Sequence, residues 1–248
     1  MEEEKKSAPF ESQPQDENVL QQSKQVVQLE DVLPVETDRS ISIGNAFDFS
    51  WKSFKSNMKF LLLLALSYFA ISVLMSILQE IAKNNTVLSL AFSLLGVFVS
   101  ILISIGIIQV ILKISRGNQA KIAELLGGMR YFWKFIGGGL LYCLILLVGY
   151  ILFIIPGIVW QMKYGFFQYL IIDKDMGPIE AIKESGKITY GFKWQIFFLH
   201  FVIMLLFIGG ILFFGVGIFV AYPLSLLMMT YAYRRMIGEE INVISSNQ

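Results

Sequence analysis

The chain has 248 residues, 55% of them apolar and 16% charged, with a mean hydropathy of +0.63. A soluble domain of this size needs far less apolar sequence, and here the apolar residues gather in long blocks, so an ordinary globular domain is excluded and a bilayer is the expected solvent. The net charge of +1 conceals a division: residues 1–40 carry ten acids and four bases, whereas residues 41–248 carry nine acids and sixteen bases.

Residues 1–40 are rich in Glu, Gln, Ser and Asp and poor in aromatics. Such a segment cannot bury enough apolar surface to offset the entropy of ordering it, so a disordered acidic cytoplasmic tail is expected, with solubility its simplest role. Met1 is followed by acids and the first apolar block starts near Phe60, so no secretory signal is read.

A short amphipathic helix is expected before that block, with Ile43, Phe47, Trp51, Phe54 and Met58 along one face and Asn45, Asp48, Lys52 and Lys55 largely opposite; Phe49 fits this pattern poorly. Phe60–Gln79 and Asn84–Leu112 are then two uncharged runs separated by Glu80–Lys83, each long enough to cross a bilayer core as a helix. A second interfacial segment follows, with Ile122, Leu125, Leu126 and Met129 apolar beside Lys121 and Glu124.

Phe135–Ile172 is interrupted by Lys163 alone and is too long for one span. Proline suits the first turn of a new helix, so Ile155-Pro156-Gly157 is expected to mark a reversal there. Pro178 then opens a third interfacial helix, whose Glu180, Lys183, Glu184 and Lys187 make a polar stripe beside Ile179, Ile182 and Gly186. The last block, Trp194–Tyr233, is uncharged and should fold back at Gly209, Gly210, Gly215 and Gly217.

Lipid leaves no backbone group room to go unpaired, and these runs lack the alternation of barrel strands. The expected fold is therefore all-α: a polytopic membrane protein with six transmembrane helices in three hairpins, spanning residues 41–236, with a short cytoplasmic tail at 237–248. Lys and Arg cluster before the first span, between the second and third, between the fourth and fifth, and after the sixth, while the opposite connections hold only Lys83. Both termini are thus expected in the cytoplasm of a plasma (inner) membrane protein. Trp51, Tyr131, Trp133, Tyr190, Trp194, Tyr231 and Tyr233 all fall at that cytoplasmic boundary. At an offset of sixty residues, Gly149, Ile151, Leu152, Phe153, Gly157 and Ile158 recur as Gly209, Ile211, Leu212, Phe213, Gly217 and Ile218, a pattern consistent with parallel repeats of interfacial helix plus hairpin.

Few residues carry candidate chemistry. Lys163 and His200 are the polar intramembrane candidates. An ionisable group at such a position is a functional candidate by default, against which stand snorkelling of Lys163 to the outer interface and a backbone hydrogen bond for His200. Asp173 and Asp175 could hold a divalent cation with a phosphate, against the simpler reading of solvated loop charge. Ser93, Gly96, Ser100 and Ser104, with Ser89, form a small-residue stripe expected to serve helix packing or oligomer contact. Pro156, Gly157 and Pro223 mark a turn and a kink, and Pro223 should bend its helix. Cys143, the single cysteine, is expected to be a small lipid- or helix-packed residue, since one chain can build no disulfide from it.

Residues 41–236 resemble bacterial six-span membrane families that include the YciC-like proteins and the membrane domain attached to glycerophosphoryl diester phosphodiesterases. The resemblance lies in Ile155-Pro156-Gly157-Ile158, in Tyr169 through Asp173, in Pro178 through Ser185, and in Tyr222-Pro223-Leu224 followed by Tyr231 through Arg234. No phosphodiesterase domain is present, so the hydrolytic activity of the fused enzymes is not expected. No P-loop, zinc-protease or nucleophile-elbow motif appears in the sequence.

A non-catalytic integral membrane protein is therefore expected, with no cofactor and no metal. Its partners are membrane lipids, and in addition a cytoplasmic protein or a second copy, but not nucleic acid. Lys183 and Lys187 are the interfacial candidates for this contact. The alternatives are a transporter or lipid-translocating protein using Lys163 and His200, and an enzyme acting on headgroups through Asp173 and Asp175.

Overall fold

The structure, a computed structural model, describes residues 40–120, 122–212 and 215–241. The expected acidic tail up to Arg39, the last seven residues, and the side chains of 121–126 lie outside what it describes.

The described residues contain helices and no strand: α1 (Ile43–Ser56), α2 (Met58–Ala82), α3 (Thr86–Ser115), a 3-10 stretch (Ile122–Tyr131), α4 (Phe132–Leu152), α5 (Ile154–Tyr164), α6 (Phe167–Lys174), α7 (Pro178–Ile188), α8 (Lys193–Leu212) and α9 (Ile218–Met236). Met58–Ala82, Thr86–Ser115, Gly127–Leu152 and Lys193–Leu212 are long and apolar enough to cross a membrane. The chain is a multi-pass membrane protein.

The other two expected spans take different forms. Ile154–Lys174 is not one helix but two, α5 of 11 residues and α6 of 8, parted at Gly165-Phe166. The break is chemically supported: Ser185 and Thr189 donate their hydroxyls to the Lys163 carbonyl at 3.0 and 3.1 Å, and Tyr142 donates to the Gln161 carbonyl at 3.2 Å. Carbonyls at an interrupted helix away from water need such donors. α9 is less apolar than the four long helices because protein surrounds it. Most of its residues from Ala221 to Met236 are buried, against α1, α2, α3 and α8. It runs continuously through Pro223, and the Ser225 hydroxyl donates to the Tyr222 carbonyl at 2.7 Å.

Glycine fixes two of the turns. The chain reverses at Phe153, whose backbone is extended, so Pro156 sits in the first turn of α5 and the reversal comes two residues earlier than expected. There α4 and α5 touch glycine to glycine: a Cβ on Gly149 would lie 3.1 Å from the Gly157 Cα. The α8–α9 turn repeats the device, since a Cβ on Gly217 would lie 2.6 Å from the Gly210 Cα. The sixty-residue offset matches Gly157 to Gly217, which both make such a contact, but it matches Gly149 to Gly209, and there Gly210 makes the contact instead.

Buried residues concentrate at one end of the bundle, in the lower half of α3, the start of α4, α6, α7, the second half of α9, and α1. This end also carries the lysines and arginines that flank the helices, and we call it the basic end. Phe49 explains its poor fit to the outer face of α1: it points inward, 5.4 Å from the Tyr231 ring, while Trp51 lies outward between Phe47 and Phe54 with the Lys55 ammonium over it. Trp133, Tyr190 and Trp194 are likewise exposed, but Tyr131, Tyr231 and Tyr233 are buried, so the aromatic belt is narrower than the sequence implied.

Candidate functional site

The polar architecture of the basic end centres on Asp173, the penultimate residue of α6. Its carboxylate accepts two hydrogen bonds from the Arg116 guanidinium, at 2.6 and 2.9 Å, and one from the Tyr233 hydroxyl at 2.9 Å. Arg116 also reaches Glu239 at 2.6 Å, and Glu239 accepts from Arg234 at 2.7 Å. Arg234 donates as well to the Ser115 carbonyl, so the ends of α3, α6 and α9 are tied together.

Asp173 is not the solvated loop charge expected of it: its side chain is only 6% exposed. Burial alone would raise its pKa, but the hydrogen bonds from Arg116 and Tyr233 and the Arg116 charge outweigh that and hold it below the usual carboxylate range. Glu239 is lowered in the same way against its own burial, by Arg116 and Arg234. Asp175 answers to a different cation. It adopts a left-handed conformation, φ 54°, and both its carbonyl and its carboxylate accept from Lys134 at 2.8 Å. Among the described residues no group of three or more His, Cys, Asp or Glu is placed to hold a metal ion.

α7 is amphipathic as read, with Ala181, Ile182 and Ser185 buried, but these face the protein, and Ile179 is exposed. Lys183 and Lys187 lie on its outer side, Lys187 paired with Glu184 at 2.8 Å. The helix lies close on α5, for a Cβ on Gly186 would meet the Tyr164 ring at 3.1 Å and the Lys163 Cε at 3.3 Å.

That contact relocates Lys163. It does not extend toward the reversal at Phe153, as snorkelling to the outer interface required. It sits in the last turn of α5 against α7, its ammonium 5.0 Å from the Tyr164 ring centre. α5 ends at Tyr164, and α7 packs against that end.

Between α5 and α8 opens a groove of about 410 Å³. Ile155, Ile158, Val159, Ile196 and Phe197 form its apolar walls, and Lys163, Lys193 and Trp194 stand where α5 stops and α8 starts. Among the described residues neither lysine forms a salt bridge. The arrangement joins an apolar channel to two cations and an indole at one end. The sequence named Lys163 and Trp194 but not Lys193 as its partner, since only the break in the fourth span brings them together.

His200 is not among the residues lining this groove. Its Nδ1 lies 2.8 Å from the Ile196 carbonyl, the backbone bond set against a catalytic role. Ser93, Gly96 and Ser100 face α2 but across a gap of about 300 Å³ that includes Tyr68, Ser72 and Gln79, and a Cβ on Gly96 would meet nothing within 4 Å. The stripe faces a neighbour, as a packing role requires, without the close approach expected of it. Ser100 and Ser104 bond back to their own helix, at 2.9 Å to Val97 and 2.8 Å to Ser100. Cys143 is exposed on α4.

Comparison of the chain with protein-family models, with curated proteins and with solved structures found no match.

Proposed function

We propose that the chain is a non-catalytic inner-membrane protein that holds anionic phospholipid at its cytoplasmic side. The hairpins enter from the cytoplasm, both termini stay there, and the basic end faces the anionic leaflet. The likeness to YciC-like proteins belongs to this proposal, as does the six-helix, three-hairpin plan.

One observation carries the reading: an apolar groove ends on two lysines and a tryptophan. An acyl chain fits the walls, a phosphate fits the ammonium groups, and the indole suits the boundary between them. Lys183 and Lys187, on the outward side of α7, extend the same basic surface. The transport alternative needs Lys163 and His200 on one polar path, and the groove takes Lys163 alone.

Native mass spectrometry of the detergent-purified protein tests it. Wild type should retain anionic phospholipid in preference to zwitterionic, and a Lys163→Met, Lys193→Met variant should lose that preference while remaining monodisperse. Equal retention by both proteins would remove the groove from the account.

A further inference from the structure

A second cavity, at the basic end, shares no lining residue with the groove. It has a volume of about 380 Å³ and lies between the end of α3, the 3-10 stretch and the end of α6, a size that suits a small molecule. Gln109, Lys113 and Arg116 line it from α3 at spacings of four and three, which place them on one helix face. Arg130 lines it from the 3-10 stretch and Asp173 from α6. Leu112, Tyr131 and Ile172 complete the lining and are buried, so the cavity is set into the packed end of the bundle.

The carboxylates around it are already engaged. Asp173 accepts from Arg116 at 2.6 and 2.9 Å and from Tyr233 at 2.9 Å, and its side chain is only 6% exposed. Glu239 accepts from Arg116 and Arg234. Asp175, which feels the Arg130 charge, accepts from Lys134 at 2.8 Å.

Donors remain. The bonds of Arg116 to Asp173 and Glu239 use Nε, both hydrogens of Nη2 and one of Nη1, which leaves one N–H on Nη1. Arg130 donates from Nη2 to the Tyr131 hydroxyl, and its guanidinium carbon lies 4.4 Å from the centre of that ring. Among the described residues Arg130 forms no salt bridge, so its Nε and Nη1 are left to give.

An amide, an ammonium and two guanidinium groups thus converge on one space from two elements. A phosphate carries up to about two negative charges at neutral pH and has oxygens pointing in several directions, so it can accept from all of them. Both arginines are held in place beforehand, Arg116 by two acids and Arg130 by Tyr131, so little side-chain freedom is lost when an anion enters.

We infer that this cavity is a binding site for a phosphomonoester, the group shared by phosphorylated small molecules and phosphatidic acid. Arg130 and Lys113 bind the phosphate oxygens, the Gln109 amide adds a hydrogen bond, and Arg116 joins the site to the bonds that tie α3, α6 and α9. This goes beyond the lipid-holding reading and does not rest on the groove.

Phosphorus NMR line broadening on the full chain in uncharged detergent tests the inference, with inorganic phosphate and dioctanoyl phosphatidic acid as probes at fixed ionic strength. A Lys163→Met, Lys193→Met background removes the groove from the measurement, so its failure and that of this site stay separate. Saturable binding of at least one probe is expected. Either Lys113→Gln or Arg130→Gln, both exposed and outside the clamp of α3, α6 and α9, should weaken it about tenfold. Binding of inorganic phosphate, with or without the lipid, marks a soluble phosphate compound as the ligand; binding of phosphatidic acid alone marks a headgroup. Saturable binding of neither probe, or an affinity unchanged in both monodisperse variants, would overturn the inference.

Discussion

Replacing Asp173 by Asn keeps the side-chain shape but removes the charge that Arg116 and Tyr233 converge on. Breaking one partner out of a buried pair costs about 3–5 kcal/mol. Here the cost is smaller, because the Arg116 side chain stays 31% exposed and keeps Glu239 at 2.6 Å; about 2 kcal/mol is expected, given screening by solvent. For a chain of this size that corresponds to a fall in Tm of about 4–8 °C, read in detergent by thermal unfolding or by loss of the monodisperse peak on heating. Asp173→Asn and Arg116→Met should be strongly non-additive, since both remove one interaction. A Tm unchanged from wild type, or strict additivity, would show that the pair does not fasten the ends of α3, α6 and α9.

Acidification should loosen the same clamp. The folded pKa values of Asp173 and Glu239 are held below their unfolded ones, so the contribution is complete above the ordinary carboxylate range of about 4 and is lost as pH falls through the lower folded values; a Tm that holds steady down to that range and then drops is the expected profile. Gly210→Ala puts a methyl 2.9 Å from the Gly217 carbonyl carbon and should cost about 1–3 kcal/mol, whereas Gly209→Ala meets nothing within 4 Å and should be neutral by the same thermal assay. Ser185→Ala with Thr189→Val leaves the Lys163 carbonyl without its two hydroxyl donors, and a loss of about 1–3 kcal/mol is expected. Liposomes carrying His200→Phe should show lipid retention equal to wild type, since the imidazole serves its own helix.

Much of the fold was legible because composition and periodicity speak directly about solvent. The long apolar runs gave α2, α3, α4 and α8, and the glycines at 209–217 marked a turn that falls at Gly215–Gly217. The break at Gly165-Phe166 was not legible, because its stability comes from Ser185 and Thr189, twenty or more residues away, donating to one carbonyl. Phe49 was visible only as a poor fit to the apolar face of α1, because its partner Tyr231 is remote in sequence. Asp173 was read as a loop charge because its partners Arg116 and Tyr233 are remote in sequence. Lys163 was visible as an isolated charge, but the direction of its side chain followed from the packing of α7.

The account rests above all on hairpins inserted from the cytoplasmic side, with the basic end inside. A cleavable tag placed before Met1 should be removed by added protease in inverted membrane vesicles and protected in intact spheroplasts. Cleavage in intact spheroplasts, with the tag protected in inverted vesicles, would contradict it.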